Sequence, residues 1–122
     1  MGDTRPLGDS VLAARLFFDA VNERDFDALR AVTTDDVVVR LADGREWIGV
    51  DGAREFLDTA REMELRLIPL HRGEHAEERE GVVHVEMRVR ELIRYDDIER
   101  LADFDVRDGH VASFALRPVD TP

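Results

Sequence analysis

Hydrophobic positions in the first third of the chain predict a hairpin of two helices. Apolar residues recur at helical spacing up to Asn22, starting after Asp9 or Ser10, and either of these two residues can cap the helix. A shorter helix follows, for which Asp25 is the expected N-cap. We expect this second helix to end within residues 33–36.

The next segment predicts a small β-hairpin and a third helix. Residues 37–41 are apolar and mostly β-branched, and the Asp-Gly pair at 43–44 is a type I′ turn signal that leads into a return strand at 46–48. Asp51 is the expected N-cap of the third helix, whose apolar stripe runs to Met63.

Alternation of apolar and polar residues predicts strands throughout the second half. Residues 65–72 are extended but contain Pro69, which indicates an edge strand or a bulge. The charged run 74–80 fits no single element. Between residues 82 and 94 the alternation is regular, so a long strand is expected, and residues 98–106 predict a second one.

The register of these two long strands follows from which residues are apolar. Their apolar faces have odd and even numbers respectively, so the loop between them must hold an even number of residues. A two-residue turn at 96–97 satisfies this condition and pairs Arg90 with Asp103. The side chains of Asp103 and Asp105 would then face outward, opposite Arg90 and Arg88.

The turn at Asp108-Gly109 permits two registers for the last strand. A three-residue loop with a G1 bulge would bury Phe114 and Leu116, whereas a two-residue loop would bury Val111, Ser113 and Ala115. We favour the bulge because it puts the larger side chains inside.

Composition restricts the class of protein. The 122 residues suffice for one domain, which we expect at 9–118 with loose ends at 1–8 and 119–122. A formal charge of −11 argues against nucleic acid and membrane surfaces as partners, and the absence of cysteine excludes disulfides. Without a signal-like or membrane-spanning segment, the expected location is cytoplasmic.

Several short segments carry a resemblance to a known family. They are residues 17–25 (FFDAVNERD), 28–29 (AL), 34–37 (TDDV), 49–53 (GVDGA) and 106–111 (VRDGHV). Together with the order of elements they resemble the SnoaL-like branch of the nuclear transport factor 2-like superfamily. The resemblance implies an α+β cone, cystatin-like, in which three helices from the N-terminal half pack on the concave face of a strongly curved, mixed or antiparallel sheet. It also implies an interior that often holds a small apolar ligand, and an outer face that often forms dimers.

The same resemblance narrows the chemistry. Members include polyketide cyclases, ketosteroid isomerases and limonene epoxide hydrolases. The catalytic tyrosine and two aspartates of the isomerases match Phe17, Leu41 and Ala102 here, so the base and the oxyanion donors of that mechanism are missing. The arginine between two aspartates of the epoxide hydrolases is also not evident.

Glu91 and Arg100 are the candidate catalytic residues. Glu91 interrupts the apolar face of the first long strand, and the predicted register puts Arg100 on the same side, diagonal to it. Glu91 would act as an acid or base, and Arg100 would orient an anionic or carbonyl group. The alternative interpretation is a structural ion pair near the mouth of the cone.

Further side chains are candidates for lining a ligand pocket, although a plain hydrophobic core explains most of them equally well. They are Phe17, Trp47, Phe56, Met63, His71, Met87, Phe104 and Phe114. No metal site and no cofactor is predicted, because the histidines and acids at 71–75 lack supporting residues.

The sequence therefore predicts a protein that binds a small apolar molecule, with an isomerase, cyclase or hydrolase reaction on a carbonyl or epoxide compound as the candidate activity. Whether the protein is an enzyme stays open. The alternative is a non-catalytic domain with a filled core that forms a homodimer through its outer sheet face.

Overall fold

The computed structural model describes residues 5–70 and 74–119, and for residues 5–7 it describes the backbone alone. Its elements, in chain order, are α1 (Arg5–Glu23), α2 (Phe26–Ala31), β1 (Thr33–Arg40), β2 (Glu46–Ile48), α3 (Gly49–Met63), β3 (Leu65–Pro69), β4 (His75–Arg79), β5 (Val82–Ile93), β6 (Asp96–Arg107) and β7 (His110–Pro118). The predicted α+β class with three helices before the long strands is confirmed.

The strands form one mixed sheet of seven in the order β2-β1-β7-β6-β5-β3, with β4 also paired to β5. β1 and β7 are parallel, and the other pairs are antiparallel. β3 and β4 lie along the same side of β5, where β3 pairs with residues 89–93 and β4 with residues 82–86. The edge position predicted for the strand with Pro69 is therefore correct, although β3 ends at Pro69 itself.

The helices cover one face of the sheet, which we call the inner face. Alternate β5 side chains from Val83 to Val89 are buried on it, as the alternation predicted. At its centre four phenylalanine rings pack together. Phe17 of α1 lies 5.5 Å from Phe104 and 4.8 Å from Phe114, centroid to centroid, and Phe18 lies 5.3 Å from Phe104. Burial of each such side chain stabilises the fold by about 1.5–3 kcal/mol.

The helix boundaries differ in part from prediction. α1 begins at Arg5 rather than near Asp9 or Ser10, while the Asp25 cap is confirmed, since its carboxylate accepts a hydrogen bond from the Ala28 N–H at 3.0 Å. α3 begins at Gly49, and Asp51 lies in its first turn instead of capping it. A carboxylate there still favours the positive end of the helix dipole.

Residues 33–36 are the start of β1 and not the end of α2. Thr33 is opposite Val111 of β7, and its hydroxyl donates to the Leu29 carbonyl at 2.9 Å. Threonine suits both roles, because its hydroxyl can satisfy the last helical carbonyls while its β-branched side chain fits a strand.

The predicted type I′ turn at Asp43-Gly44 is wrong. Residues 42–44 form a three-residue loop, closed by the Leu41 N–H on the Arg45 carbonyl at 3.0 Å. Gly44 has φ +92°, but Asp43 is not among the residues with positive φ. A type I′ turn requires positive φ at both central residues, and only the glycine of this pair meets that requirement.

The register predicted between the two long strands is shifted. The turn lies at Arg94-Tyr95, so Ile93 pairs with Asp96 and Arg90 faces Glu99 rather than Asp103. Arg94 adopts φ +54° there. The loop still has two residues, and a shift of the turn by two positions keeps every side chain on its predicted face.

The three-residue loop with a G1 bulge that we favoured for the last hairpin is wrong, and a bulge lies beyond the turn instead. Asp108 and Gly109 form a two-residue turn with φ +50° and +76°. The register then shifts, because Val106 pairs with Val111 while Asp105 pairs with Ser113, which leaves Ala112 as the extra residue. Burial of Phe114 and Leu116 is confirmed. The charged run 74–80, unassigned from sequence, contains β4 and the turn into β5.

Candidate functional site

Glu91 is a buried carboxylate on the inner face of β5. It is 5% exposed, although every cross-strand neighbour directly beside it is apolar. Leu67 of β3 is opposite on one side, and Ile98 of β6 is opposite on the other. Side chains directly opposite each other in a sheet point to the same face, so Glu91 lies between Leu67 and Ile98.

Arg100 is the polar partner of Glu91. It is opposite Val89, which makes it diagonal to Glu91 as the sequence indicated, and its Nε donates to Glu91 Oε1 at 3.2 Å. Its side chain is 20% exposed. Within the described residues, its two Nη groups have no hydrogen-bond partner, so these donors remain available to a ligand.

The pair sits where the inner face passes from core to solvent. Val89 is fully buried, Ile93 is half-buried and Ile98 is 43% exposed. We call Glu91, Arg100, Ile93 and Ile98 the rim cluster. It combines one ion pair with two apolar side chains that solvent or a ligand can reach.

A depression of about 510 Å³ adjoins the rim cluster at Ile93. Its lining residues come from the end of α3 and the β5–β6 turn, and they are Glu62, Met63, Ile93, Arg94, Tyr95 and Asp96. Tyr95 is fully exposed at the tip of the turn. Neither Glu91 nor Arg100 lines the depression, which meets the rim cluster at Ile93.

The other predicted pocket residues fall into two groups. Five side chains are fully or almost fully buried in the packed core: Phe17, Phe56, Met87, Phe104 and Phe114. Trp47 and Met63 are half-buried against it, and Trp47 packs on Phe56 at 5.2 Å between centroids. His71 lies outside the described residues. Sequence reasoning did not find Leu67 and Ile98 beside Glu91, since that requires the observed register.

The outer face of the sheet carries a ladder of ion pairs with partners other than those predicted. Arg117 binds Asp103 and Glu86, at 2.6 Å each, and His84 binds Asp105 at 2.5 Å. Arg88 pairs with Glu99, and Arg90 pairs with Asp97. The hydrogen bond to Asp97 raises the pKa of Arg90. Expected pairs between Arg90 and Asp103 and between Arg88 and Asp105 are absent because of the register shift.

The described residues contain no group of histidine and acidic side chains arranged to hold a metal ion. No described helix is long and apolar enough to cross a membrane.

Comparison with known proteins agrees with this architecture. The family model of the SnoaL-like domain matches residues 14–114. The chain belongs to the SnoaL-like domain family. This match includes α1 from Ala14 onward and both long strands that carry Glu91 and Arg100. No curated protein matches the chain in sequence.

Solved structures similar to this SnoaL-like chain share its fold at low sequence identity. A protein of unknown function with a cystatin-like fold from Nostoc punctiforme has a TM-score of 0.77 at 13% identity, covering 99% of this chain and 97% of that one. An LEH-like epoxide hydrolase from M. tuberculosis has a TM-score of 0.67 at 18% identity, with 92% and 79% covered. The orange carotenoid protein of Anabaena, with canthaxanthin bound, has a TM-score of 0.76 at 19% identity. That match covers 90% of this chain but 36% of the carotenoid protein.

Proposed function

We propose that this SnoaL-like protein binds a small, mostly apolar molecule at the rim cluster and acts on a polar group of that molecule. The observation that carries the proposal is the Glu91 carboxylate, buried among apolar neighbours and hydrogen-bonded to one partly exposed arginine. An ionised pair in such surroundings costs desolvation energy that a pair of apolar side chains would not. At the opening of the inner face, this pair supplies the few polar groups with which a mostly apolar binding site orients its ligand.

Arg100 would bind the polar oxygen of the ligand. Its Nη groups have no partner in the described residues, and an arginine held through Nε keeps its outer edge in a fixed orientation. Hydrogen bonds from that edge would stabilise negative charge that develops on a carbonyl or epoxide oxygen.

Glu91 would act as the general acid or base. The hydrogen bond from Arg100 fixes its position, and the apolar side chains of Leu67 and Ile98 keep bulk water from one part of the carboxylate. A positioned carboxylate that moves a proton while a neighbouring cation stabilises an oxyanion suits isomerisation, cyclisation or hydrolysis. The similarity to an LEH-like epoxide hydrolase is consistent with this class of substrate.

The ligand would lie at the rim rather than among the phenylalanine rings. None of the five cavities described by their lining residues includes Phe17, Phe56 or Met87. Met63 lines the depression beside Ile93, so it is the pocket candidate best positioned to contact the apolar body of a ligand.

Solution binding of an apolar fragment library tests the proposal. By ligand-detected NMR, fragments with one hydrogen-bond acceptor should bind the wild-type protein and lose at least about tenfold in affinity in Arg100→Met, since that variant removes the charged donors. Arg90→Met removes an arginine from the outer face and should leave binding unchanged. Equal affinity in all three proteins would contradict a role for Arg100.

Catalysis needs a separate test once a converted substrate is known. Glu91→Gln keeps the size of the side chain and removes the carboxylate, so turnover should fall by at least about 100-fold if Glu91 transfers a proton. Circular dichroism checks that the fold is retained. Full turnover by a folded Glu91→Gln variant would eliminate the catalytic role.

The second candidate is a non-catalytic domain that forms a homodimer through the outer face. The ladder of charged residues on that face favours it, because rows of opposite charges can pair with a second copy as well as within one chain. Sedimentation velocity of the wild type and of Arg88→Glu tests this candidate. A dimer that Arg88→Glu dissociates would support it, and a monomer at all concentrations would exclude it.

A further inference from the structure

We propose that Glu91 determines the charge of the ligand, so that the rim cluster takes neutral hydrogen-bond acceptors such as ketones, esters and epoxides and rejects carboxylates. This inference rests on the proposed function and narrows it. From sequence, Arg100 suited an anionic group and a carbonyl group equally. The surroundings of the arginine distinguish between the two.

The first argument is local charge balance. The Glu91 carboxylate lies 3.2 Å from the Arg100 Nε and is 5% exposed, so it neutralises the guanidinium from the buried side. A neutral acceptor can hydrogen-bond to the Nη groups without changing this balance. A carboxylate in the same position would put two negative charges around one positive charge. Repulsion between the ligand carboxylate and Glu91 would then lower the affinity for the acid.

The second argument is the charge of the adjoining depression. Its charged lining residues are Glu62, Asp96 and Arg94, so acidic residues outnumber basic ones by one. The guanidinium of Arg94 also makes a hydrogen bond within the protein, since its Nη2 donates to the Glu62 carbonyl at 3.4 Å. An approaching anion would therefore meet a negative depression on a chain of formal charge −11.

The third argument is the lack of other donors for an anion. The side chains next to the pair on the inner face are Leu67, Val89, Ile93, Ile98 and Pro118. None of them can hydrogen-bond to a second carboxylate oxygen, so a bound acid would lose hydration that the site does not replace. A ketone or epoxide has one acceptor oxygen and loses much less.

The same reasoning predicts what happens without the Glu91 charge. In Glu91→Gln the guanidinium keeps a hydrogen-bonding neighbour of nearly the same size but becomes an uncompensated cation. Arg100 should then prefer a carboxylate to a ketone, because a charge-assisted hydrogen bond is stronger than a bond to a neutral acceptor. Substitution of one residue should thus reverse the preference.

Acetophenone and benzoate test the inference, because they are similar in size but acetophenone is neutral and benzoate is an anion. We would titrate each at pH 7.5 and constant ionic strength into wild type, Glu91→Gln and Asp97→Asn, and follow the backbone amides of residues 91, 98 and 100 by NMR. Asp97→Asn is the matched control, since it removes one carboxylate from the ion pair with Arg90 on the outer face and changes the net charge equally.

The expected result is at least about tenfold tighter binding of acetophenone than of benzoate by wild type and Asp97→Asn, with the preference reversed in Glu91→Gln. Benzoate binding to the wild-type rim as tightly as acetophenone would overturn the inference and leave the proposed function standing. A Glu91→Gln variant with the wild-type preference would also overturn the inference, because the preference would then not depend on the Glu91 charge. If neither ligand shifts the rim amides in any of the proteins, rim binding itself fails and both proposals fall. Glu91→Met serves as the second uncharged variant where Glu91→Gln is poorly folded.

Discussion

At the residue scale, the exposed carboxylate of Asp36 has a pKa that its neighbours lower. Its carboxylate accepts a hydrogen bond from the Thr34 hydroxyl at 2.7 Å and two from Arg107 Nη2, at 3.1 and 3.2 Å. The hydrogen bond from Thr34, followed by that from Arg107, holds the pKa of Asp36 below its ordinary value of 3.8. The lowered pKa belongs to the folded state, since both partners are brought to Asp36 by β1 and β6.

Replacing Thr34 by valine should raise the pKa of Asp36, because the largest favourable contact of its ionised form is lost. A lowered folded-state pKa adds stability above the ordinary pKa and loses it as the pH falls through the folded-state value. The wild type should therefore lose more stability than Thr34→Val on acidification through this range. Carboxyl NMR titration measures the pKa directly, and an unchanged value would show that the hydroxyl contributes nothing.

Arg107→Gln is the companion variant at this site. It should also raise the pKa of Asp36, since Arg107 lowers that pKa both by its hydrogen bonds and by its positive charge. An unchanged pKa of Asp36 in Arg107→Gln would show that Arg107 does not stabilise the ionised carboxylate.

At the scale of elements, the contact between α1 and the edge strand β3 depends on one amide. Asn22 Nδ2 donates to the Leu67 carbonyl at 2.8 Å, and Asn22 Oδ1 accepts from the Leu67 N–H at 2.8 Å. The helix thus supplies the hydrogen bonds that Leu67 would otherwise exchange with a neighbouring strand. Leu67 in turn packs beside Glu91, so this contact also supports the rim cluster.

Asn22→Ala should destabilise the protein by about 2 kcal/mol, since it leaves both polar backbone groups of Leu67 without their partner. Urea denaturation measures the loss as a lower midpoint at unchanged slope. Glu23→Ala on the same helical turn removes an exposed side chain and should cost less than about 0.5 kcal/mol. Equal stability of Asn22→Ala and wild type would contradict the role given to the amide.

The pairing of elements also explains what the sequence could predict about the site. Parity of apolar positions puts Glu91 and Arg100 on one face, and it survives a shift of the turn by two residues. It cannot distinguish a turn at 96–97 from the observed one at Arg94-Tyr95, because both contain two residues. The cross-strand ion pairs depended on the exact register and were therefore predicted wrongly.

Other misses came from local signals that fit two structures. Thr33 is compatible with a helix end and with a strand, and pairing with β7 decides for the strand. The bulge at Ala112 lies beyond the turn, where no glycine marks it, and only the burial of Phe114 required it. The depression beside Ile93 brings together α3 and the β5–β6 turn, which sequence spacing alone does not relate.

The whole molecule has a core filled by its own aromatic side chains. Phe104 contacts Phe17, Phe18 and Phe114 at centroid distances of 5.0–5.5 Å. Such packing fills the centre of the inner face with the protein's own side chains, which is why the proposed ligand site lies outward at the rim cluster. Fold stability and ligand binding should accordingly depend on different residues.

Phe104→Ala tests the filled core. The variant should lose about 3–5 kcal/mol of stability and gain an apolar cavity that binds xenon, which the wild type should not bind. Urea denaturation and xenon NMR measure the two effects. Tyr95→Ala, which removes a fully exposed aromatic side chain, is the control and should cost less than about 0.5 kcal/mol. Xenon binding by the wild type would contradict a filled interior.

The most direct test of the central claim is a crystallographic fragment screen of the wild-type protein with small, neutral, mostly apolar compounds. Rim binding predicts fragments that lie across Ile93 and Ile98, with an acceptor oxygen within hydrogen-bonding distance of an Arg100 Nη group. Fragments found repeatedly on the outer face or between the phenylalanine rings, with none at Arg100, would contradict it.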